Sequence, residues 1–180
     1  YNHQNKNFLC TMVVLNKEAD AQVGKEVAMQ IAAMNPIAVN EAGVPEEVKA
    51  NEMQVAIEKT KVEQVQKAVE AALKKAGFNL YIAENEEHLN EGVMKGNITE
   101  AQAQEIRELK EKVAAEKAAN LPAQMVENIA KGRMAKFYKE NCLLNQEYIQ
   151  DAKMTVADYL KSVDKDLTVL DFKRFTLRAE

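Results

Sequence analysis

Val48, Val55, Val62 and Val69 recur every seventh residue, and Ala76 continues the row. No glycine or proline interrupts the chain between Pro45 and Gly77. This stretch restricts the fold most, because it predicts a single rod of helix roughly 45 Å long. Surface charge does not hold such a rod. An i, i+4 pair such as Glu108 with Lys112 contributes about 0.3–0.5 kcal/mol, whereas fixing one residue's backbone costs about 1–2 kcal/mol. The valine row therefore has to be buried against a partner helix, in the same chain or in another copy. It is a thin row, with Asn51 and Glu58 where a full coiled coil would carry a second apolar residue.

Pro45 suits the first helical turn, and Glu46 and Glu47 favour the positive end of the helix dipole. Gly77 caps the other end. Beyond it, Phe78, Leu80, Tyr81 and Ile82 read as a short strand or an apolar tip, and Glu84 to Asn97 as an acidic, glycine-punctuated stretch. Thr99 with Gln102 forms a capping box that opens a return helix, with Ile106, Leu109 and Val113 on one face.

Strand-like sequence lies only outside this arm. Phe8 to Leu15 is a β-prone run, and Leu167 to Leu177 is expected to pair with it. Strict alternation would put Val169, Asp171, Lys173 and Phe175 on one face and Leu170, Phe172 and Arg174 on the other. Asp20 is an N-cap for a helix with Val23, Val27, Ile31 and Met34 as its buried stripe, ended by Asn35-Pro36. Pro122 reopens a helix whose buried face is Met125, Val126, Ile129, Ala130, Met134 and Phe137. Thr155 with Asp158 caps a short helix that turns Val156, Tyr159, Leu160 and Val163 inward. The expected fold is α+β, a small antiparallel sheet packed with helices over 1–44 and 122–180. A long antiparallel helical hairpin, or coiled-coil arm, interrupts it over 45–121.

Composition narrows the function. The chain of 180 residues carries 24 basic and 28 acidic side chains, for a net charge of −4, so no global attraction to nucleic acid exists. Lys131, Arg133, Lys136 and Lys139 form a local basic group that reads as a solvated helix face, and no direct nucleic-acid contact is expected. Two cysteines, Cys10 and Cys142, make no disulfide framework or metal spacing and fit a reduced cytoplasmic setting. No apolar run approaches the roughly 20 residues that span a bilayer, and no membrane association is expected. The start at Tyr1, without methionine, suggests a piece of a longer protein. Cys142 as a nucleophile would need a base, and only His3 and His88 exist. Glu84, Glu87, His88 and Glu91 have metal-compatible spacing but read as a solvated acidic tip. Glycine-rich phosphate loops are absent, so neither nucleotide nor another cofactor is expected, and the chain is not read as an enzyme. Gly132, inside a helix at a penalty of about 1 kcal/mol, reads as a site of close helix packing.

One stretch carries a resemblance. Pro122, Val126 and Ile129 are followed by Lys131-Gly132-Arg133-Met134-Ala135-Lys136-Phe137-Tyr138-Lys139-Glu140 and Cys142-Leu143-Leu144. Gln146, Ile149, Asp151, Lys153 and Thr155-Val156 continue the pattern, which resembles the C-terminal signature of the bacterial elongation factor Ts family. Ile31-Ala32-Ala33-Met34-Asn35-Pro36 and Phe172-Lys173-Arg174-Phe175 are similar to that family's segments on either side of its arm. The resemblance implies nucleotide exchange on elongation factor Tu during protein synthesis, with a partner bound in both its GDP-bound and nucleotide-free forms. It implies a docking surface here, because the Thr-Asp-Phe-Val element that disturbs the magnesium site is not in this sequence. His3 matches a Tyr-x-His on the side that meets elongation factor Tu. Met34, Asn35 and Pro36 form a tight exit beside the core, and Arg133 is either a contact or a structural ion pair. Gln30 departs from the family, which often carries histidine there, and 55–108 finds little family counterpart. The competing reading is a structural module that forms a homodimer through the arm.

Overall fold

The β-prone run near the start forms β1 (Leu9–Leu15), and helix α1 (Ala21–Met34) follows. Asp20 caps that helix through its side chain, which accepts from the Gln22 N–H at 2.8 Å. The rod is α2 (Glu46–Lys75), followed by α3 (Leu80–Ala83), α4 (Glu86–Met94) and α5 (Glu100–Ala119). Next come α6 (Ala123–Asn141), β2 (Glu147–Tyr148), β3 (Asp151–Thr155), α7 (Val156–Val163) and β4 (Val169–Thr176). This computed structural model describes residues 1–178. The chain divides into two units, one of Tyr1–Glu52 with Gly132–Glu180 and one of Met53–Lys131, so the divisions fall inside α2 and α6.

In the first unit β1 and β4 pair antiparallel, as the sequence predicts, from Leu9 opposite Thr176 to Leu15 opposite Val169. The register shifts between Val14 and Leu15, which leaves Leu170 unpaired as a bulge. The bulge overturns the expected alternation. Val169 is buried on the same side as half-buried Phe172 and Arg174, whereas Leu170, Asp171, Lys173 and Phe175 are exposed. A second small sheet pairs β2 with β3. The core joins Val23, Val27 and Ile31 of α1 to Leu143, Tyr148, Val156, Leu160, Leu167 and Val169. Met34 and Val163 do not join it; they are 45% and 46% exposed in the last turns of their helices.

The second unit has its own core of Leu73, Ala83, Leu89, Ala103 and Ile106, with Val69, Phe78 and Leu109 half-buried around it. Phe78 to Ile82 is not a strand. Asn79 caps α3 by accepting from the N–H groups of Tyr81 and Ile82, and Asn85 caps α4 by accepting from that of His88. The Thr99–Gln102 capping box forms as expected. Gly77 (φ 84°) ends α2 in a Schellman turn, with Phe78 N–H on Leu73 O at 3.0 Å and Gly77 N–H on Lys74 O at 3.1 Å. α2 half-buries Val48 and Val69 of the valine row but not the two valines between them. Val55 and Val62 are 59% and 63% exposed, and Ala56 and Thr60 are buried in their place. Among the described residues, no helix is long and apolar enough to cross a membrane.

Candidate functional site

The residues singled out from the sequence lie in the first unit. Tyr1 pairs with the outer edge of β1, its nitrogen donating to Thr11 O at 2.8 Å while Thr11 N–H donates to Tyr1 O at 2.9 Å. Thr11 in turn donates its hydroxyl to Ala28 O at 2.7 Å, fixing β1 to the middle of α1. His3 follows in an exposed 3-10 turn, with its Nδ1 3.0 Å from the Tyr1 hydroxyl and the two rings edge-on at 5.9 Å. The segment that carries His3 is thus tied to the helix that ends in Met34 and Asn35. Roughly 9 Å of helix separates Ala28 from Met34.

Asn35 takes the left-handed conformation (φ 45°, ψ 57°) and closes α1 with its N–H on Ile31 O at 3.1 Å. A left-handed C-cap suits asparagine, and the following proline cannot continue the helix. Pro36 itself is buried, and Met34, Asn35 and Ile37 are exposed around it. Pro36 therefore shapes this corner by position. The chain beyond it is fixed by Ile37 N–H on Asn141 O at 2.9 Å and by Leu143 N–H on Ala38 O at 2.9 Å. Arg133 lies two turns back along α6, half-buried and engaged within the protein. The basic group around it is also occupied, with Lys131 on Glu127 at 3.0 Å, Lys136 on Glu140 at 3.8 Å and Lys139 on Glu147 at 3.6 Å.

Two glutamines that the sequence marks only by their place in the family pattern are buried. Gln30 is wholly buried; it donates to Glu147 O at 3.0 Å and accepts from Ile149 N–H at 2.8 Å. Gln146, also buried, donates to Glu140 O at 2.9 Å and lies 3.4 Å from Gln30. These bonds join α1 to β2 and to the end of α6. Glu26 accepts from the hydroxyls of Tyr148, at 2.7 Å, and Tyr159, whose rings stack at 4.3 Å. The Tyr159, Tyr148 and Gln22 hydrogen bonds hold its carboxyl below the usual range. Burial first, and then the Glu26 bond, push Tyr159 up to about 12. The spacing of Glu26, Tyr148 and Tyr159 in sequence gives no sign of this cluster.

Cys142 is buried in the first unit among Ala38, Val44 and Phe137, and burial pushes its thiol up, with Glu41 adding and Lys49 opposing. A thiol held protonated in an apolar setting is packing, not a nucleophile. His88, in the second unit, stacks on Tyr81 at 4.2 Å and lies 3.2 Å from Glu84, and Glu91 is engaged by Lys95. Among the described residues no group of three or more histidine, cysteine or acidic side chains is arranged to hold a metal ion.

The first unit thus combines an exposed corner at Met34, Asn35 and Ile37 with buried amides and a tyrosine-clamped carboxylate. The fold defines a class, an α+β protein in which a run of helices lies between the two segments that form the first unit. A family model described as elongation factor TS matches residues 1–179. The chain is 62% identical over 180 residues to elongation factor Ts of Bacteroides fragilis, covering all of this chain and 54% of that protein. Elongation factor Ts of Bacteroides thetaiotaomicron is 61% identical over the same span, and that of Flavobacterium psychrophilum 32% over 173 residues. The chain belongs to the elongation factor Ts family. It spans about half the length of these curated relatives.

Proposed function

We propose that this chain is the docking part of a nucleotide exchange factor and binds elongation factor Tu through its first unit. Family membership over the whole matched span is the observation that carries this reading. The contact residues are His3, Met34 and Asn35, with Pro36 and Arg133 holding the surface in place. The 1–44 and 122–180 segments act as the core and 45–121 as an inserted arm. The setting is cytoplasmic protein synthesis, and the factor performs no covalent chemistry. Exchange is a coupling free energy: a partner that prefers the nucleotide-free form lowers nucleotide affinity by the same factor. Docking residues alone do not supply that preference, and the sequence contains no Thr-Asp-Phe-Val element.

Stopped-flow release of a fluorescent GDP analogue from elongation factor Tu tests this division of labour. Saturating chain is expected to leave the release rate within about twofold of the spontaneous one, since a coupling near zero changes nothing. Acceleration comparable to a full-length factor would contradict it.

A further inference from the structure

His3 sits on a turn whose backbone is costly. Gln4 (φ 54°, ψ 18°), Asn5 (φ 53°) and Asn7 (φ 58°) all lie in the left-handed region, with no glycine among them. Asparagine is tolerated there because its short side chain bonds locally, whereas glutamine has no such compensation. Packing does not call for this conformation, since His3 to Phe8 are all exposed. Nor do backbone bonds hold it firmly. Asn5 N–H reaches Asn2 O, and Lys6 N–H reaches His3 O, each at 3.3 Å, longer than the usual range of about 2.7–3.2 Å.

Side chains tie the ends of the turn instead. Asn7 N–H donates to Asn2 Oδ1 at 3.1 Å, and Asn2 Nδ2 donates to Asn7 Oδ1. The near end is anchored, because Asn2 bridges to Cys10 and the Tyr1 carbonyl accepts from Thr11 N–H at 2.9 Å. Between these ties the His3 ring lies edge-on to the Tyr1 ring, with its Nδ1 3.0 Å from the Tyr1 hydroxyl. A strained backbone persists only where its surroundings over-determine it, and such strain clusters at contact sites. Here the over-determining pair spans the exposed histidine and little else.

We propose that the Asn2–Asn7 pair is a positioning device for His3, holding its ring in the docking pose before the partner arrives. This rests on the docking role of His3 proposed above. A pose that is populated only in part lowers apparent affinity by that fraction, so the pair contributes to binding through His3.

The test uses the whole chain with two substitutions at one exposed position. Asn7→Gly keeps the left-handed backbone and removes the side-chain acceptor, whereas Asn7→Asp keeps both. In proton NMR, the through-space signal between the Tyr1 and His3 rings is expected to vanish in Asn7→Gly and to remain in Asn7→Asp. In calorimetric titration into elongation factor Tu, Asn7→Gly is expected to weaken binding about three- to tenfold and Asn7→Asp less than about twofold. In a His3→Ala background the Asn7→Gly loss is expected to disappear, because it acts through that ring. A ring contact that survives Asn7→Gly would overturn the inference, as would losses from His3→Ala and Asn7→Gly that simply add. If the ring contact depends on Asn7 as described while the chain fails to bind elongation factor Tu, the positioning of His3 stands and the proposed function falls.

Discussion

At the scale of single residues, the surface is only as rigid as the polar groups behind it. Replacing Gln30 by alanine removes a wholly buried amide and leaves the part-buried Ile149 N–H and Glu147 carbonyl without that partner. Urea unfolding is expected to show a loss of about 1–3 kcal/mol, the range for buried groups left unsatisfied. A loss below about 0.5 kcal/mol, the low end for an ordinary hydrogen bond, would mean that the released groups find other partners. Glu26 and Tyr159 give stability a pH dependence of defined sign. Glu26 has its folded value depressed, so its contribution is present above the ordinary carboxylate range and fades as pH falls through that lower value. Tyr159 is raised from 10.0 to about 12, so its contribution is full below pH 10 and disappears as pH approaches 12. Tyr159→Phe should therefore weaken the protein most between these limits, and the difference from wild type should shrink at both ends. A difference that is flat from acid to alkaline pH would contradict the clamp. None of this was legible beforehand, because Glu26 and Tyr159 are far apart in sequence and tyrosine is read by default as apolar packing.

At the scale of elements, the caps were legible and the faces were less so. Asp20, Thr99 and Thr155 each open a helix as expected, because capping is decided within four residues. Faces depend on what lies opposite. One bulge at Leu170 swaps the faces of Val169 and Leu170 at the start of β4, and Val55 and Val62 stand exposed on α2 while Ala56 and Thr60 are buried. Thr60 is tolerated in the interior because its hydroxyl donates back to Ala56 O at 2.6 Å. Gly132 corrects another expectation. A Cβ there would meet nothing within 4 Å, so the glycine answers no packing need within the chain. Gly132→Ala is expected to raise thermal stability by about 1 kcal/mol, the helix propensity difference. A loss of stability would show that an unfilled approach to this face matters. Gly92 is the opposite case, because a Cβ would stand 3.0 Å from Ile82 Cγ2 and 3.3 Å from Ile98 Cγ1. Gly92→Ala should destabilise the second unit by about 1–3 kcal/mol through overpacking, seen as faster amide exchange in α3 and α4. Unchanged exchange would mean that the isoleucines yield freely.

At the scale of the molecule, the sequence showed the class, the long helices and the pairing of the first and last strands, but not the β2–β3 sheet, whose strands of two and five residues are too short to carry a pattern. The expectation that 55–108 lacks a family counterpart is overturned, since the family model matches residues 1–179 and the Bacteroides relatives align over all 180. The second unit's fold was still hard to read. Its two short helices between Asn79 and Met94 are set by asparagine caps that also read as turn residues. Its core of Leu73, Ala83, Leu89, Ala103 and Ile106 gathers residues from four helices, which no single periodic pattern reports. The proposed docking surface is legible only as a set of positions, and the structure adds one link among them: His3 is tied through Tyr1 and Thr11 to α1, whose C-cap is Asn35. The central claim is that this surface binds elongation factor Tu and does so without discriminating between its nucleotide states. Calorimetric titration of the chain into elongation factor Tu, with and without saturating GDP, tests it most directly. The account predicts a saturable one-to-one isotherm in both cases with affinities within about threefold, a coupling well under 1 kcal/mol. No binding in either case, or binding abolished by GDP, would contradict it.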